Sequence, residues 1–455
     1  MTKRKASIPV YFTSLEIENV RCFGERQRLD LTDKDGRPAR WTLILGENGV
    51  GKTTLLQCLA WMRLVPVGDD LALLAEEDEL LESLLRVGTS LELTLGASLS
   101  FGGISSSAGD EAEDVAGPGQ TVETGIQLVF DDKRRLSDDP RQIRPQIEMD
   151  PPLVVAYGAN RQLGVQNVAS SDLDDPIAAS RLSRLTELYD IEELLSSLDY
   201  ASTKNPDSRE HMHLERLREI LAKILPEDLE PADIKILPPD VLDSGEPSGV
   251  RVNTFSGLVP ISALSLGYQT TVAWAADLAW RLLKRYPESA DPLAEPAVVL
   301  IDEIDLHLHP LWQLRIIDEL SAIFSGTQFV ATAHSPLIVQ VATGNASLVL
   351  LRKRETDVEI INDPVVVRSW RVDQILTSEL FGVPRAYNKE TERLFTRRAE
   401  LVDKPSRSAA EEEELERLRI QISKLPTAQD PDDQKAMDFI RAAAALLKKH
   451  KIVKP

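Results

Sequence analysis

The stretch GENGVGKT at residues 46–53 constrains the fold of this chain more than any other. It fits the pattern Gly-x-x-x-x-Gly-Lys-Ser/Thr, and it stands between an apolar run and a run with helical periodicity. A strand, a glycine-rich turn and a helix in that order form a phosphate-binding loop, because the N–H groups of the turn and of the first helical turn converge on one anion. Further aliphatic strands such as PAVVLI alternate with helices, so we predict a mainly parallel sheet covered on both faces.

The residue types in this loop suit a nucleoside triphosphate with Mg²⁺. Gly46, Gly49 and Gly51 let the backbone curl around phosphate oxygens. The ammonium group of Lys52 reaches the β and γ phosphates, and the hydroxyl of Thr53 ligates Mg²⁺. The residues that we expect to bind ATP here are Gly46, Glu47, Asn48, Gly49, Val50, Gly51, Lys52, Thr53 and Thr54.

The run PAVVLIDE supplies the acidic groups that such a site needs. Residues 298–303 indicate a buried strand that leads into Asp302 and Glu303. We predict that Asp302 holds Mg²⁺ through water opposite Thr53, and that Glu303 orients or deprotonates the attacking water. His334 ends the next predicted strand, where its side chain is placed to touch the γ-phosphate. Glu303 and His334 are therefore the candidate catalytic residues, with Thr53 and Asp302 as candidate metal ligands.

The histidines of LIDEIDLHLHPLWQ allow a second interpretation of the same region. His307 and His309 have the spacing of zinc ligands, but such a pair needs further ligands to close a metal shell. The neighbouring acids already serve Mg²⁺ and water, so we interpret both histidines as loop residues. We expect His309 to cap a helix that begins at Pro310 and continues to about residue 324.

The run LSLGYQ at residues 264–269 predicts a second phosphate-binding element. Ser265 and Gly267 stand at the start of a predicted helix, where a hydroxyl and bare backbone N–H groups can bind an anion. One nucleotide cannot easily fill two such elements of the same subunit. We therefore expect head-to-tail pairing, in which Ser265 and Gly267 contact the ATP of a second copy.

Together these motifs resemble the ABC-type ATPases. Gly46–Thr53 matches the Walker A motif of that superfamily, Leu264–Gln269 its signature and Leu300–Glu303 its Walker B motif, while Asp305 matches the D-loop and His334 the switch histidine. The resemblance implies a P-loop NTPase head, an α/β fold whose mainly parallel sheet is flanked by helices, with an antiparallel β-subdomain on the N-terminal side. It also implies that Asp305 makes a contact across the dimer.

The start of the chain narrows the resemblance to the RecF/SMC-like branch. SLEIENVRCFGERQRLDL looks like the strand pair that precedes the P-loop there, and three further runs are similar to the stand-alone ATPases of bacterial anti-phage systems and to the ATPase part of OLD nucleases. One departure concerns the Q-loop, whose place is taken by AYGANRQLG. Either Arg161 or Gln162 can serve in it.

The resemblance and the changes in composition predict the domain organisation. Residues 10–385 form the ATPase domain, interrupted by a mobile loop at about 100–122 and a helical insert at about 168–250. Residues 386–455 form a helical hairpin, whose two helices we place at about 411–425 and 438–452. We predict no intrinsic nuclease, because the region after His334 lacks an Asp-x-Asp arrangement.

Composition excludes several classes of protein. The chain has 52 Lys and Arg against 73 Asp and Glu, a net charge of −21, which disfavours a surface coated with nucleic-acid contacts. Its two cysteines cannot form a disulfide framework or a cysteine zinc site. No apolar run approaches the roughly 20 residues that span a bilayer, so we expect a cytoplasmic protein without a membrane partner.

Three functions fit these observations. We favour an ATP-switched homodimer or higher homo-oligomer that controls a protein effector, a nuclease or toxin in phage defence. The alternative is a RecF-like repair or recombination ATPase that binds duplex DNA, for which DKRRL, RKRE, TRR and KKHK are the candidate basic contacts. A transporter ATPase subunit fits less well, because the N-terminal strand pair and the helical tail are foreign to it.

Overall fold

The computed structural model describes fifteen ranges of the chain. They are residues 9–62, 83–86, 92–101, 121–130, 141–143, 153–166, 182, 186–205, 208–225, 229–237, 249–342, 346–364, 370–381, 389–404 and 408–423. Every element named below lies within these ranges. The chain divides into two compact units, Met1–Gly382 and Val383–Pro455. Most of the loop predicted at 100–122 lies outside the described residues.

The strands of the described residues follow the aliphatic runs of the sequence. They are β1 (Val10–Glu18), β2 (Gln27–Asp30), β3 (Trp41–Gly46), β4 (Glu92–Phe101), β5 (Thr121–Val129), β6 (Arg141–Ile143), β7 (Leu153–Tyr157), β8 (Arg161–Gln166), β9 (Thr186–Tyr189), β10 (Ile234–Leu237), β11 (Gly249–Thr254), β12 (Gly257–Pro260), β13 (Ala297–Ile301), β14 (Thr327–Thr332), β15 (Ser347–Lys353) and β16 (Val358–Asn362).

The α-helices of the described residues lie between or after these strands in the first unit, and the last two belong to the second unit. They are α1 (Lys52–Trp61), α2 (Ile191–Lys204), α3 (Arg209–Ile224), α4 (Leu266–Arg285), α5 (Pro310–Gln313), α6 (Ile316–Ile323), α7 (Pro336–Ala342), α8 (Val372–Leu376), α9 (Lys389–Asp403) and α10 (Ala409–Ser423).

A central sheet positions the site. Its strand order is β16-β15-β3-β14-β13-β7, and all neighbours are parallel except β16, which is antiparallel to β15. A second, antiparallel sheet has the order β2-β1-β4-β5-β6 and contains the predicted N-terminal strand pair. The predicted fold class, an α/β P-loop head with an antiparallel β-subdomain, is confirmed.

Two core layers cover the faces of the central sheet, because successive side chains of a strand point to opposite sides. Leu43 of β3 and Val299 of β13 belong to the layer that α4 covers. Ile44 and Val298, one residue away in each strand, belong to the layer shared with α1 and the antiparallel sheet. All four are completely buried, and burial of each such side chain contributes about 2 kcal/mol to folding.

The insert predicted as helical at 168–250 is helical only in part. Within it, α2 and α3 are capped at their N-termini by Asp190 and Ser208. The same range also contains β9, β10 and the start of β11, and β10-β11-β12 form a small antiparallel sheet. The helical periodicity of the charged runs was therefore a correct guide, whereas the short strands between them were missed.

The helix predicted from Pro310 is two helices. The chain leaves the helical path at Leu314 and Arg315, between α5 and α6. Ile317 and Leu320 are buried as the three-residue spacing indicates, but Leu311 is 67% exposed. The exposure of Leu311 therefore departs from the single buried apolar face that the spacing predicted.

The second unit contains a helical pair, one member of which was predicted. The helix expected at about 411–425 is α10, and it packs against α9 through Leu394, Leu401, Leu415 and Leu418. Arg397 of α9 also makes two hydrogen bonds to Glu414 at 2.8 and 2.9 Å. The other helix predicted for this hairpin, at 438–452, lies outside the described residues.

Among the residues that the structure describes, every helix is too short or too polar to span a lipid bilayer.

Candidate active site

The phosphate-binding loop connects β3 to α1 as predicted. Gly51 has φ +92°, and a Cβ there would lie 2.5 Å from Cys22 Sγ, so both conformation and space require glycine. Lys52 is buried and donates from Nζ to the carbonyl oxygens of Gly46 and Glu47, each at 2.8 Å. Burial lowers the pKa of Lys52, and the nearby carboxylate of Asp302 opposes this shift. The loop therefore holds a cation beside the start of α1.

The remaining loop residues divide into exposed and buried ones. Glu47, Asn48 and Gly49 are exposed, so their backbone N–H groups can be reached by a ligand. Val50 is buried in the core, and the hydroxyl of Thr54 accepts a hydrogen bond from Arg21 at 3.2 Å. Val50 and Thr54 can thus contribute only their backbone to nucleotide binding.

Thr53 and Asp302 meet although 249 positions separate them in the chain. Thr53 Oγ1 donates to Asp302 Oδ2 at 2.6 Å. The other carboxylate oxygen, Oδ1, accepts from Thr332 Oγ1 at 2.6 Å, and the backbone N–H of Asp302 donates to Tyr157 O at 2.8 Å. A hydroxyl and a carboxylate side by side are the oxygen ligands that Mg²⁺ takes in nucleotide sites, so the residues fit the predicted metal.

Glu303 adopts a strained backbone conformation next to this pair. Its φ is +50°, in the left-handed region that costs a residue with a side chain about 1–3 kcal/mol. The backbone N–H donates to Thr332 Oγ1 at 2.7 Å, and the carbonyl accepts from the N–H of Leu306 at 3.1 Å. Such strain persists only where the surroundings impose it, and it is typical of functional sites.

His334 lies two residues beyond the end of β14, not at its end as predicted. Its backbone N–H donates to both carboxylate oxygens of Asp305, at 3.2 and 3.0 Å. Asp305, which the resemblance assigns to a contact across a dimer, thus also binds the switch-histidine loop of its own subunit. Gln313 supports the same loop by accepting a hydrogen bond from Ser335 Oγ at 2.5 Å.

The signature residues form no part of this cluster. Ser265 is exposed directly before α4, and among the described residues it makes no hydrogen bond to the phosphate-binding loop. Gly267 is buried, and a Cβ there would lie 2.1 Å from the carbonyl oxygen of His307. From the sequence, we interpreted Gly267 as a phosphate-binding residue. The structure adds that a side chain at this position would clash with the backbone of His307 in the same subunit.

The two histidines lie in a loop, as the sequence indicated. His307 has φ +63° and carries the carbonyl that approaches Gly267. The predicted cap is confirmed, since Nδ1 of His309 accepts from the N–H of Leu311 at 3.3 Å.

Two contributors to the site were missed or left open by the sequence. Thr332 connects Asp302 to Glu303, and only its position in the strand beside β13 could have indicated this role. Arg161, one of two Q-loop candidates, donates from Nη2 to the carbonyl oxygens of Asp302 at 2.6 Å and Glu303 at 3.5 Å.

These features define a P-loop nucleotide-binding domain. The chain belongs to the family described as AAA domain, putative AbiEii toxin, Type IV TA system, whose pattern matches residues 42–340. A second AAA-domain family matches residues 14–63. The family match thus spans the sequence from the phosphate-binding loop past the switch histidine.

Individual relatives carry defence-system names. The chain is 25% identical to the Septu protein PtuA of Bacillus mycoides (strain KBAB4) over 418 residues, which cover 91% of this chain and 50% of that protein. It is 51% identical to the Retron Ec83 probable ATPase of Escherichia coli over 75 residues, 16% of this chain and 14% of that protein. This chain therefore spans half the length of the first relative and far less of the second.

Solved structures with a similar chain course are more distant. The SMC head domain from Thermotoga maritima has a TM-score of 0.39 at 13% identity, covering 78% of this chain and 99% of that one. The recombination mediator protein RecF has a TM-score of 0.38 at 12% identity, covering 79% and 100%. Family membership rests on the sequence match.

Proposed function

We propose that this protein hydrolyses ATP, pairs with a second copy around ATP and Mg²⁺, and uses this cycle to switch a protein effector. The proposal rests on the way in which the site residues are divided between a cluster within one subunit and the surface of that subunit. Lys52, Thr53, Asp302 and Glu303 form one half within the subunit, whereas Ser265 stands exposed on its surface. An exposed signature serine is available to the nucleotide of another copy.

The chemistry follows from the residues of the first half. The N–H groups of residues 47–53 and the ammonium of Lys52 bind the phosphates, and Thr53 and Asp302 hold the metal. When bound, Mg²⁺ neutralises charge on the phosphate oxygens. Glu303 accepts the proton of the attacking water, and Thr332 keeps the Glu303 backbone in place for this step. His334 contacts the γ-phosphate from the loop that Asp305 holds.

The effector assignment is supported by the relatives. One is named a Septu protein and another a retron ATPase, and the family description includes a toxin system. We therefore propose that the partner is a nuclease or toxin of an anti-phage defence system. The partner surface is not part of the ATPase chemistry, so it is tested separately below.

The DNA-binding alternative gains little support from the described basic clusters. Arg352 pairs with Glu379 at 2.6 Å, and Arg354 pairs with Glu359. Arg397 pairs with Glu400 and Glu414. Arginines neutralised in this way contribute less to phosphate binding than free ones, because each contact must first replace an existing ion pair.

The switch is tested by Glu303→Gln. We expect this variant to bind ATP, to hydrolyse it at least about a hundredfold more slowly than the parental protein, and to accumulate as a closed homo-oligomer. Phosphate release and light-scattering mass, with and without ATP, measure both effects. Glu193→Gln, an exposed glutamate on α2, is the matched control. Hydrolysis at the parental rate in Glu303→Gln would refute the general-base assignment, and an ATP-independent mass of the parental protein would refute pairing.

The partner is tested by affinity capture of the Glu303→Gln protein from its own cells. A nuclease or toxin that is retained with ATP and lost without it supports the effector assignment. Retained duplex DNA would instead favour the repair function, and a membrane permease would favour transport.

A further inference from the structure

Arg161 occupies a position that the proposed chemistry does not yet explain. It begins β8, four residues beyond Tyr157 at the end of β7, the strand that lies beside β13 in the central sheet. The intervening loop is fixed, since the N–H of Gly158 donates to Thr186 Oγ1 at 2.9 Å and the N–H of Thr186 donates to Asn160 O at 2.8 Å. The Arg161 side chain therefore contacts the Asp302–Glu303 peptide from a loop that hydrogen bonds hold in place.

The contacts of this guanidinium are unusual for a cation among acids. Nη2 donates to the backbone carbonyl oxygens of Asp302 and Glu303, not to their carboxylates. Nε is buried and makes no hydrogen bond to the described residues. Burial lowers the pKa of Arg161 to about 10, opposed first by the charge of Asp302. Burying a guanidinium group costs free energy, and the hydrogen bonds to the two carbonyl oxygens offset part of that cost.

The peptide that Arg161 holds is the strained one. Glu303 follows the end of β13 by two residues and has a left-handed φ of +50°. Its N–H is fixed by Thr332, and Asp302 is fixed at its N–H by Tyr157 and at its carboxylate by Thr53 and Thr332. Arg161 donates the hydrogen bond at 2.6 Å that fixes the remaining backbone group, the carbonyl of Asp302.

We propose that Arg161 is a positioning residue, which holds the Asp302–Glu303 peptide so that the Asp302 carboxylate is oriented for Mg²⁺ and the Glu303 carboxylate for water. Arg161 stands where the resemblance places the Q-loop glutamine, and its guanidinium binds the backbone carbonyl oxygens of Asp302 and Glu303. The inference rests on the proposed ATPase function, since it assigns Arg161 a role in the same site.

The test is the Mg²⁺ dependence of nucleotide binding, measured at equilibrium with the non-hydrolysable analogue AMP-PNP. In Arg161→Met, the affinity without Mg²⁺ should remain within about twofold of the parental value, because the phosphate-binding loop is unchanged. The tightening produced by Mg²⁺ should fall by about tenfold or more, as expected for the loss of one charge-assisted hydrogen bond. In parallel, kcat should fall more than KM rises.

Three variants keep the test decisive if Arg161→Met folds poorly. Arg161→Lys retains a donor and a charge, so it should recover most of the Mg²⁺ effect. Arg209→Met removes an arginine from a surface pair with Glu288 and should have none. A loss in Gln162→Ala with parental behaviour in Arg161→Met would assign the role to the glutamine and overturn the proposal, as would equal losses in Arg161→Lys and Arg161→Met. Because AMP-PNP binding requires no hydrolysis or pairing, these outcomes are independent of a failure of the switch.

Discussion

Thr332, the last residue of β14, holds both acidic residues of the site through one hydroxyl. It donates to Asp302 Oδ1 and accepts from the N–H of Glu303, and it is completely buried. Thr332→Val preserves the shape but leaves both partners without their hydrogen bond. We expect the free energy of unfolding to fall by about 1–3 kcal/mol and ATP hydrolysis to fall with it. Urea denaturation and phosphate release measure the two effects.

The same strand offers the control for this prediction. Thr327, the first residue of β14, is also completely buried, but its Oγ1 has no hydrogen-bond partner among the described residues. Thr327→Val should therefore be neutral or slightly stabilising, because it removes an unsatisfied polar atom. If Thr327→Val and Thr332→Val lowered stability equally, the loss would come from the shape of the strand and not from the hydroxyl of Thr332.

Sequence reasoning predicted Lys52, Thr53, Asp302 and Glu303 as site residues, because they stand in a phosphate-binding motif and an acidic motif with recognisable spacing. It did not predict the residue that orients the two acids. Thr332 is an ordinary residue within an apolar strand, and its role exists only because β14 lies beside β13. Such a role depends on strand order, which local pattern does not specify.

At the scale of elements, the N-terminus of α4 is locked to the loop that follows Glu303. A Cβ on Gly267 would lie 2.1 Å from His307 O and 3.1 Å from His307 C, both backbone atoms. Gly267→Ala must therefore displace the helix or the loop, and we expect it to lower the free energy of unfolding by about 1–3 kcal/mol. ATP-dependent pairing should weaken as well, since Ser265 moves with the helix. Urea denaturation and light-scattering mass check both.

Gly24→Ala is the control for this substitution. A Cβ on Gly24 would meet the side-chain tips of Arg86 and Asp357 at 3.2 Å, and such tips can move aside. The stability of Gly24→Ala should thus remain close to the parental value. Parental stability and pairing in Gly267→Ala would mean that the loop yields freely, and the proposed locking of α4 would be wrong.

Helices and strands were predictable where the spacing of apolar residues is regular over a long run. They were not predictable where contacts with distant residues determine the local structure. The run from Pro310 has helical spacing throughout, yet the chain breaks it at Leu314 and Arg315. Trp312 of α5 is buried and lies edge-on to Tyr268 of α4, a contact between elements more than forty positions apart. Short strands such as β9 and β10 were missed because each has only four residues, and a run of that length shows little periodicity.

At the scale of the whole molecule, the proposed pairing brings together two copies that each carry a net charge of −21. Charges of the same sign repel across an interface unless salt screens them, so local contacts around the shared nucleotide must provide the attraction. Association should accordingly strengthen as ionic strength rises from low values. Comparisons between variants therefore require one fixed salt concentration.

Ser265→Arg tests whether the exposed signature serine provides such a contact. The variant places a long cationic side chain where a hydroxyl is exposed before α4, and it leaves the phosphate-binding loop of its own subunit intact. We expect AMP-PNP to bind the single subunit with an affinity within about twofold of the parental value, while AMP-PNP-dependent association is lost. Fluorescent-nucleotide titration and light-scattering mass distinguish the two properties.

The matched control for Ser265→Arg is Thr203→Arg, which adds the same charge and bulk at an exposed position on α2. Because both variants shift the net charge equally, any difference between them reflects position and not overall repulsion. Full association of Ser265→Arg would show that the signature helix does not enter the interface, and Gly267 would then be explained by its contact with His307 alone. Loss of AMP-PNP binding by the single subunit would place Ser265 in its own nucleotide site, and the division of the site between two copies would have to be abandoned.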